Sequence, residues 1–292
     1  MPTAHMKIVV TGSAGFIGSN VVAALRGRGD TVVGVDPRAP EPRSFDEAVS
    51  DGEVQRVVHL GAISSTLEDD EDLLTRVNVQ LPQHIWRWCA REDVPLVYAS
   101  SAAVYGMGMS GFEEDGLCEP LNGYARSKHA FDEWALLQDS GPPTWAGCRY
   151  FNVYGPGESH KGAMASMVTK THWDIEAGRP TRLFRWGRQC RDFVWVGDVV
   201  EVTLWLLEAD VAGLFNVGTG HAATFEHVVS ATWRSEGLEP RVEWVDMPAE
   251  LRDRYQAYTR ADMRKLRAAG YERPFLGVDE GIAACATERV PC

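Results

Sequence analysis

Several features are missing from this sequence of 292 residues, and each absence narrows the possible functions. No apolar run reaches the roughly 18 residues that a membrane-spanning helix needs. No cluster of Lys or Arg is present, and the formal net charge is −12, which disfavours nucleic acid and anionic membranes because both bind basic surfaces. A cleaved signal peptide is not expected, because it would remove the first strand and a glycine-rich loop. We therefore expect a cytoplasmic protein with neither nucleic-acid nor membrane partners.

Paired cysteines are also missing. The six cysteines lie far apart in the sequence and form no Cys-x-x-Cys pair, which disfavours a zinc site and a disulfide framework and indicates reduced thiols. They are Cys89, Cys118, Cys148, Cys190, Cys285 and Cys292. The acidic run at 68–72 is interpreted as the solvated N-terminus of a helix, where the helix dipole favours negative charge. The sequence therefore predicts no metal site.

The chain does contain enough apolar residues for a core, with 45% hydrophobic and only 24% charged residues. Short β-branched runs without polar alternation alternate with helical patterns, which is typical of a buried parallel sheet. The predicted fold class is α/β, a Rossmann-type doubly wound parallel sheet with a smaller, mainly C-terminal α/β substrate domain. The predicted strands are 7–10, 31–35, 57–60, 96–99 and 144–149, and the predicted helices are 16–28, 70–91 and 122–137.

The strand–helix rhythm changes after Pro156, which suggests two domains. Residues 157–190 are rich in polar and small residues and are predicted to be irregular, whereas 191–207 resume the strand–helix pattern and 214–217 form another strand. From about Thr224 the chain is predicted to be helical with one short strand at 241–245. We expect residues 1–156, with a return at about 191–222, to bind a dinucleotide, and 157–190 with 223–292 to bind substrate.

A glycine-rich loop follows the first predicted strand and leads into a helix. In Gly12-x-x-Gly15-x-x-Gly18, one glycine permits a tight turn, one lets the backbone approach a pyrophosphate, and one allows close helix–strand packing. The helix that follows would aim its N-terminal N–H groups at the phosphates. Asp36, at the end of the second strand, is placed to bind a ribose hydroxyl. Together these features predict a dinucleotide site.

A tyrosine and a lysine lie four residues apart at the start of a predicted helix, so Tyr124 and Lys128 share one helix face. A tyrosine is a poor base at neutral pH, and a fixed positive charge nearby would stabilise its phenolate. Ser101 follows a predicted strand at the carboxyl edge of the sheet, where ligands bind in such folds. The three residues predict a proton-transfer site, with Ser101 hydrogen-bonded to the substrate oxygen that Tyr124 deprotonates.

Longer motifs extend the pattern over nearly the whole chain, and on these residues the sequence resembles the extended short-chain dehydrogenase/reductases, in the branch that modifies nucleotide sugars. Within that branch it is most similar to the ADP-L-glycero-D-manno-heptose 6-epimerases. The resemblance implies a Rossmann domain, tightly bound NADP or NAD, a nucleotide-diphosphate heptose as substrate and a homo-oligomer. The matching segments are 59–62, Asn78, 100–106, 149–156, 160–166, 191–198, 213–220, 254–259 and 266–271.

The resemblance also implies roles for further residues. Lys161 is implied to be a second catalytic acid–base group, across the pocket from Tyr124. The residues implied to bind the cofactor, besides the glycines, Tyr124 and Lys128, are Phe16, Ile17, Asp36, Arg38, Leu60, Gly61, Ala62 and Asn78. The residues implied to bind the substrate are Ser101, Asn152, His160, Lys161, Ser166, Arg191, Arg254 and Tyr255.

One segment departs from the family pattern. Only 22 residues separate Asp36 from His59, whereas a strand–helix–strand unit takes about 30, so we expect one helix near 45–50 and no strand there. In the family, the end of that strand helps to hold the adenine. Asp36 favours the free ribose hydroxyl of NAD, whereas Arg38 could bind the 2′-phosphate of NADP, so either cofactor is expected to be accepted.

The expected reaction is epimerisation by transient oxidation to a 6-ketone and hydride return to the opposite face. Another reaction of the same branch, a 4-epimerisation or a 4,6-dehydration, is the alternative. Dehydratases of this branch carry an Asp-Glu pair where this chain has Ala102 and Ala103, which disfavours dehydration. A non-catalytic dinucleotide sensor is a further alternative, disfavoured because the chain keeps both Tyr124 and Lys128.

Overall fold

The computed structural model describes residues 5–108, 112–185, 187–248 and 256–287. The strands are β1 (Lys7–Thr11), β2 (Thr31–Val35), β3 (Arg56–His59), β4 (Leu96–Ser101), β5 (Trp145–Tyr150), β6 (Asn152–Tyr154), β7 (Thr181–Phe184), β8 (Cys190–Trp195), β9 (Ala212–Val217), β10 (Ala222–Thr224) and β11 (Val242–Val245). The α-helices are α1 (Phe16–Gly27), α2 (Phe45–Ala48), α3 (Glu71–Thr75), α4 (Leu81–Arg91), α5 (Gly123–Leu136), α6 (Met167–Glu176), α7 (Val196–Glu208), α8 (Phe225–Ser235), α9 (Arg264–Ala268) and α10 (Val278–Thr287). A π-helical turn, Arg76–Gln80, links α3 to α4, and two 3₁₀ helices span Ala102–Tyr105 and Ser159–Met164.

The chain divides into two compact units. The first comprises the described parts of Met1–Val104, Asn122–Arg149 and Val200–Phe215, and the second those of Tyr105–Leu121, Tyr150–Val199 and Asn216–Cys292. These bounds differ from the predicted domains, because β8 and residues 105–121 fall in the second unit. The assignment of one domain to cofactor and the other to substrate stays a prediction.

A six-stranded sheet with the order β2-β1-β3-β4-β5-β9 forms the main sheet. The pairs β2–β1, β1–β3 and β3–β4 are parallel, with Val9 beside both Val33 and Val57. This arrangement confirms the predicted Rossmann-like α/β fold. Between β2 and β3 lies only the short helix α2, so the expected absence of a strand there is correct and β2 ends the described sheet.

Apolar residues from strands and helices form the core of the first unit. Val57 and Leu96 on the sheet pack in one cluster with Ile85 and Trp86 of α4 and Phe131 of α5, and all five are at most 3% exposed. Burying such side chains contributes about 1.5–3 kcal/mol each. The core therefore holds α4 and α5 against β3 and β4, and this fixes the position of the first turns of α5.

Local signals explain where α5 and α4 begin. The side chain of Asn122 accepts a hydrogen bond from the N–H of Ala125 at 2.9 Å and caps α5. Pro82 lies in the first turn of α4, directly after the π-helical turn, so its missing N–H coincides with the change in the helical hydrogen-bond pattern. The caps place Tyr124 in the first turn of α5.

The second unit contains two small sheets. In one of them, β8 lies between β6, which is parallel to it, and β10, which is antiparallel. In the other, β7 and β11 pair in parallel. The buried residues Tyr154, Val168, Phe193, Val228 and Ile282 form a shared core, so α6, α8 and α10 pack around β6 and β8.

The prediction that residues 157–190 are irregular was wrong, because this segment contains a 3₁₀ helix, α6 and β7. Polar residues in this segment stabilise the start of α6 and do not disrupt the helix. Ser166 caps the helix by accepting a hydrogen bond from the N–H of Thr169 at 3.2 Å, and Val168 is 2% exposed. A helix that buries only a few apolar side chains gives a weak periodic pattern, which explains the error.

Three observations concern the described residues only. No helix in these ranges is long and apolar enough to cross a membrane. No group of three or more His, Cys, Asp or Glu side chains in the same ranges could hold a metal ion. The five cysteines that lie there, Cys89, Cys118, Cys148, Cys190 and Cys285, carry free thiols.

Candidate active site

The glycine loop is packed so tightly that a side chain at any of its three glycines would meet neighbouring atoms. Gly12 has a φ of +68°, and a Cβ there would lie 2.6 Å from the backbone nitrogen of Gly61. A Cβ on Gly15 would lie 3.0 Å from the Gly12 oxygen and 3.2 Å from Nη2 of Arg38. A Cβ on Gly18 would overlap the Gly12 carbonyl oxygen, far inside van der Waals contact. The loop is therefore packed between β1, the end of β3 and α1.

The geometry of the loop fits a dinucleotide. Gly15 precedes α1 in extended conformation, and no side chain among the described residues caps this helix. The positive end of the helix dipole at the start of α1 favours a pyrophosphate there. Phe16 and Gly18 are buried in the first turn of the helix, and Ile17 is half-buried. Since a side chain at Gly15 would fill the space before the helix, the residues present form a cradle for phosphate.

Gly18→Ala tests this packing against a matched control in the same helix. The added methyl must displace the Gly12 carbonyl, so we expect a loss of stability of about 1–3 kcal/mol and weaker NAD binding. A Cβ at Gly27, also in α1, would meet no atom within 4 Å apart from the backbone of its own helix. Gly27→Ala should therefore leave binding unchanged and stabilise the helix by up to about 1 kcal/mol. Thermal unfolding measures the stability of the two variants, and titration measures their affinity for NAD. Equal stability and equal NAD affinity in Gly18→Ala and Gly27→Ala would refute the packing role of Gly18.

Asp36 is 2% exposed and lies at the end of β2. Its carboxylate accepts hydrogen bonds from the N–H of Ala14 (3.1 Å) and from the N–H, Nε and Nη2 of Arg38 (2.8, 3.2 and 3.2 Å). Burial alone would raise the pKa of Asp36, but the hydrogen bonds from Arg38 and Ala14 outweigh it and lower the pKa below its usual value. An ionised carboxylate therefore lies beside the glycine loop, with the guanidinium of Arg38 already bound to it.

His59, at the end of β3, lies beside the glycine loop and is neutral. Its Nδ1 lies 2.6 Å from Oγ1 of Thr11, which also accepts the N–H of Gly61 at 3.1 Å. Burial, together with the nearby Lys128, lowers the pKa of His59 to about 3. The bonds tie the end of β1 to the segment after β3, where Leu60, Gly61 and Ala62 are half-buried. His59 thus supports the predicted cofactor site without acting as an acid or a base.

Ser101, Tyr124 and Lys128 come together within the first unit. Ser101 ends β4 and is hydrogen-bonded to Tyr124 in the first turn of α5. Burial raises the pKa of Tyr124, the Ser101 hydrogen bond lowers it, and Asp132 raises it, so the pKa lies above its usual value. The predicted stabilisation of the phenolate therefore does not dominate in this structure, because the cost of burying a charged phenolate is larger.

Lys128 follows one helical turn later and is 6% exposed. Its Nζ donates a hydrogen bond to the carbonyl oxygen of Ala99 at 2.8 Å. Burial lowers its pKa to about 8, although Asp132 raises it. The lysine is thus a fixed group beside Tyr124 that is mostly protonated near neutral pH.

Asn78 is 1% exposed and bonds to the protein itself. Its amide binds both the N–H and the carbonyl of Ile63 at 2.9 Å, and its Nδ2 donates to Oγ of Ser127 at 2.9 Å. Ser127 in turn donates to the carbonyl oxygen of Tyr124 at 2.7 Å. Asn78 therefore links the segment after β3 to α5 and positions Tyr124 through these bonds. Its predicted contact with the cofactor stays a prediction.

In the second unit, Lys161 is held by a buried carboxylate. Its Nζ lies 3.2 Å from Oε2 of Glu158, whose side chain is fully buried. Glu158 also accepts hydrogen bonds from the N–H groups of Gly155 (3.2 Å) and Ser166 (2.7 Å) and from Oγ1 of Thr169 (3.1 Å). The carboxylate thereby fixes the 3₁₀ helix that carries Lys161 to the beginning of α6, and the ammonium is held in one place.

The other predicted substrate residues of this unit differ in exposure. Asn152 and His160 are exposed, and Ser166 is half-buried at the cap of α6. Arg191 is 7% exposed, donates to the carbonyl oxygen of Cys190 at 3.0 Å and lies over the ring of Phe225 at 5.6 Å. The remaining two, Arg254 and Tyr255, lie outside the described residues.

A groove of about 540 Å³ lies in the same unit, beside α6 and β7. Lys170 and Arg182 supply positive charge to its lining, and Leu183, Phe184 and Phe225 supply apolar and aromatic surface. Burial lowers the pKa of Lys170, although Glu158 raises it. Asp246 also lines the groove, so its walls carry both charges beside the apolar and aromatic surface.

Two carboxylates near the predicted catalytic residues were missed in the sequence. Glu158 lies three residues before Lys161, and Asp132 lies four residues after Lys128, so the helical spacing of opposite charges was a usable signal. Burial was not readable, because an acidic residue in a helix is normally solvated. Asp132 is 0% exposed.

Comparison with known proteins identifies the family of the chain. Residues 8–218 match the family described as the NAD dependent epimerase/dehydratase family. The ADP-L-glycero-D-manno-heptose-6-epimerase of Helicobacter pylori is 26% identical, with 98% of this chain and 97% of that chain covered and a TM-score of 0.85. The UDP-glucose 4-epimerase of Thermus thermophilus, in complex with NAD, is 29% identical with 97% and 98% covered and a TM-score of 0.80. MoeE5, in complex with UDP-glucose and NAD, is 29% identical with 96% and 97% covered and a TM-score of 0.83.

The family match extends from β1 to the end of β9, so it includes the glycine loop, Ser101, Tyr124, Lys128 and Lys161. The similarity to these relatives confirms the resemblance to the extended short-chain dehydrogenase/reductases. The chain therefore belongs to the NAD dependent epimerase/dehydratase family, the NAD-dependent enzymes that epimerise or dehydrate nucleotide sugars.

Proposed function

We propose that this protein is an ADP-glycero-manno-heptose 6-epimerase that acts through a 6-keto intermediate. The observation that carries the proposal is the fixed ammonium of Lys161, held 3.2 Å from the buried Glu158 on a segment separate from Tyr124 and Lys128. In the proposed reaction at C6, the turn that exposes the opposite face of the ketone also moves its oxygen away from Tyr124. A second proton-transfer group is then needed, and Lys161 supplies a candidate.

NAD, which the glycine loop and Asp36 would hold, would supply hydride transfer from the carbinol carbon and back to the other face. Tyr124 accepts the proton of the hydroxyl as that carbon is oxidised. The hydrogen bond from Ser101 opposes the cost of forming a buried phenolate, and the positive charge of Lys128, one helical turn away, would favour the phenolate in the same way. The substrate is thus oxidised and reduced in one cycle, without net redox change.

Lys161 acts in the second half of the cycle. Reduction from the opposite face requires the ketone to turn, so that its oxygen points away from Tyr124. Another group must then donate the proton to that oxygen, and a held ammonium suits this role. Glu158 keeps the ammonium in position and can stabilise its charge between turnovers.

NAD is the cofactor that the site favours. Asp36 is ionised and buried beside the glycine loop, so it would accept hydrogen bonds from a ribose diol and repel a 2′-phosphate. Arg38, which could bind that phosphate, is bound to Asp36 through two guanidinium nitrogens. We therefore infer that NAD is preferred to NADP.

Titration of the protein with both cofactors tests this preference. NAD is expected to bind at least about tenfold more tightly than NADP, a difference of roughly 1.4 kcal/mol. Asp36→Asn removes the charge that repels the 2′-phosphate. It should narrow the difference in affinity between NAD and NADP, mainly by improving NADP binding. A wild-type protein that binds NADP as tightly as NAD would contradict the assignment of Asp36.

A UDP-hexose 4-epimerase is the second candidate. The observation that favours it is the 29% identity to the UDP-glucose 4-epimerase of Thermus thermophilus, over 97% of this chain. Such a reaction uses the same Ser101, Tyr124 and Lys128 but makes no demand on Lys161. The two candidates therefore differ in whether Lys161 is required.

Incubation with three nucleotide sugars tests the proposal. The protein is supplied separately with ADP-D-glycero-D-manno-heptose, UDP-glucose and UDP-glucuronic acid, each with NAD, and the products are separated by chromatography. We expect the C6 epimer of the heptose and little or no conversion of the UDP-sugars. Formation of UDP-galactose without heptose epimerisation would favour the second candidate and refute the first.

A further inference from the structure

Behind the Tyr124–Lys128 pair lies a buried ion pair that the reaction described above does not use. Asp132 of α5 and Arg149 of β5 are 0% and 2% exposed, and Nε of Arg149 lies 3.0 Å from Oδ2 of Asp132. Asp132 also accepts hydrogen bonds from the hydroxyls of Tyr98 (3.1 Å) and Ser100 (2.8 Å). All four residues belong to the first unit, so the network is a rigid part of the sheet and α5.

Two residues that bind Asp132 are the sequence neighbours of the residue that binds Lys128. Tyr98 and Ser100 flank Ala99, whose carbonyl oxygen accepts the hydrogen bond from Nζ of Lys128. Asp132 lies four residues after Lys128, so both side chains project from the same face of α5, about 5–6 Å apart at their Cβ atoms. Lys128 and Asp132 are both buried, at 6% and 0% exposed, and their charged groups bind neighbouring residues of β4.

Burying a lysine favours its neutral form, which could not stabilise a phenolate. Lys128 interacts electrostatically with His59 on β3, which is neutral, and with the carboxylate of Asp132. Tyr98 on β4 and the cationic Arg149 on β5 contact Asp132. Asp132 opposes the effect of burial on the lysine. Arg149 in turn compensates the charge of Asp132, which would otherwise be costly to bury.

We propose that Asp132, held in place by Arg149, is a positioning residue that keeps Lys128 protonated at the working pH of the enzyme. Its carboxylate acts through Lys128 and touches neither substrate nor cofactor. The proposal rests on the Tyr124–Lys128 pair of the family and holds whichever nucleotide sugar is the substrate.

The proposal can be tested directly on Lys128, because the chain has so few lysines. They are Lys7, Lys128, Lys161, Lys170 and Lys265. In protein labelled with [¹³C]lysine and saturated with NAD, the Cε signals can be assigned by single substitutions and followed against pH. Lys128 is expected to titrate near 8 in the wild-type protein. In Asp132→Asn it should titrate at least about one pH unit lower, since an opposite charge at this distance shifts a pKa by roughly 1–3 units.

Matched variants separate this role from a structural one. Asp30 is another buried carboxylate of the first unit, and it accepts a hydrogen bond from the N–H of Met6. Asp30→Asn should leave the Lys128 titration unchanged, and Asp132→Glu should restore it. If Asp132→Asn does not fold, Asp132→Asn with Arg149→Met removes both buried charges. Lys128 should then titrate lower than in the Arg149→Met variant, which lacks only the cation. An unchanged Lys128 titration in the folded Asp132 variants would overturn the proposal.

Discussion

Tyr124→Phe is expected to lower kcat by about 10²–10⁴-fold, the usual contribution of a positioned proton-transfer group. The substitution removes the hydroxyl that is hydrogen-bonded to Ser101 and keeps the ring that packs at the start of α5. Thermal stability and NAD affinity should therefore stay close to those of the wild-type protein. Steady-state kinetics with the accepted nucleotide sugar measure the effect.

Tyr98→Phe is the matched control, because it removes another buried tyrosine hydroxyl of the same unit. That hydroxyl donates to Asp132 and lies behind the Tyr124–Lys128 pair. We expect a much smaller loss of kcat in this variant. If Tyr124→Phe retained more than about a tenth of the wild-type kcat, which is well outside the range for such groups, Tyr124 would not be the base.

Lys161→Met is expected to abolish epimerisation of the heptose while one half of the reaction survives. Tyr124 can still deprotonate the substrate, so the 6-ketone forms, but the proton for return from the opposite face is missing. With a 6-aldehyde analogue, which can be oxidised to the acid and reduced to the alcohol, partial dismutation should remain. Loss of a general acid typically lowers the rate of the catalysed step by about 10²–10⁴-fold.

Lys170→Met provides the control for Lys161→Met. Lys170 lines the groove beside α6 and also lies near Glu158. Its loss leaves the Lys161–Glu158 pair in place, so kcat should fall much less than in Lys161→Met. Near-normal heptose epimerisation in Lys161→Met would eliminate the two-base mechanism and leave Tyr124 serving both faces.

Much of the first unit could be predicted from the sequence, because its signals are local. The glycine spacing around Gly12, Gly15 and Gly18 specifies a turn and a close approach, and the structure shows the contacts that each glycine permits. The apolar runs specify buried parallel strands, and the short segment between Asp36 and His59 correctly predicted a sheet without a strand there. Local chemistry and chain length were sufficient for these features.

The rest depends on tertiary contacts that a single sequence does not show. The segment 157–190 has few apolar residues, yet Glu158 organises it by accepting four hydrogen bonds from residues up to eleven positions away. Asp132 has the sequence context of a solvated helical residue, and its burial depends on partners from two strands, Tyr98 and Ser100 of β4 and Arg149 of β5. The pKa of Tyr124 likewise depends on burial, which changed its predicted direction.

The central claim is epimerisation at C6 by transient oxidation, and a heptose labelled with deuterium at C6 tests it most directly. ADP-D-glycero-D-manno-heptose carrying this label is incubated with the protein and NAD in ordinary water, and the products are examined by mass spectrometry and NMR. The account predicts a mixture of both C6 epimers, with deuterium retained at C6 and no net formation of reduced cofactor. Loss of the label to solvent, or recovery of a single epimer, would contradict it.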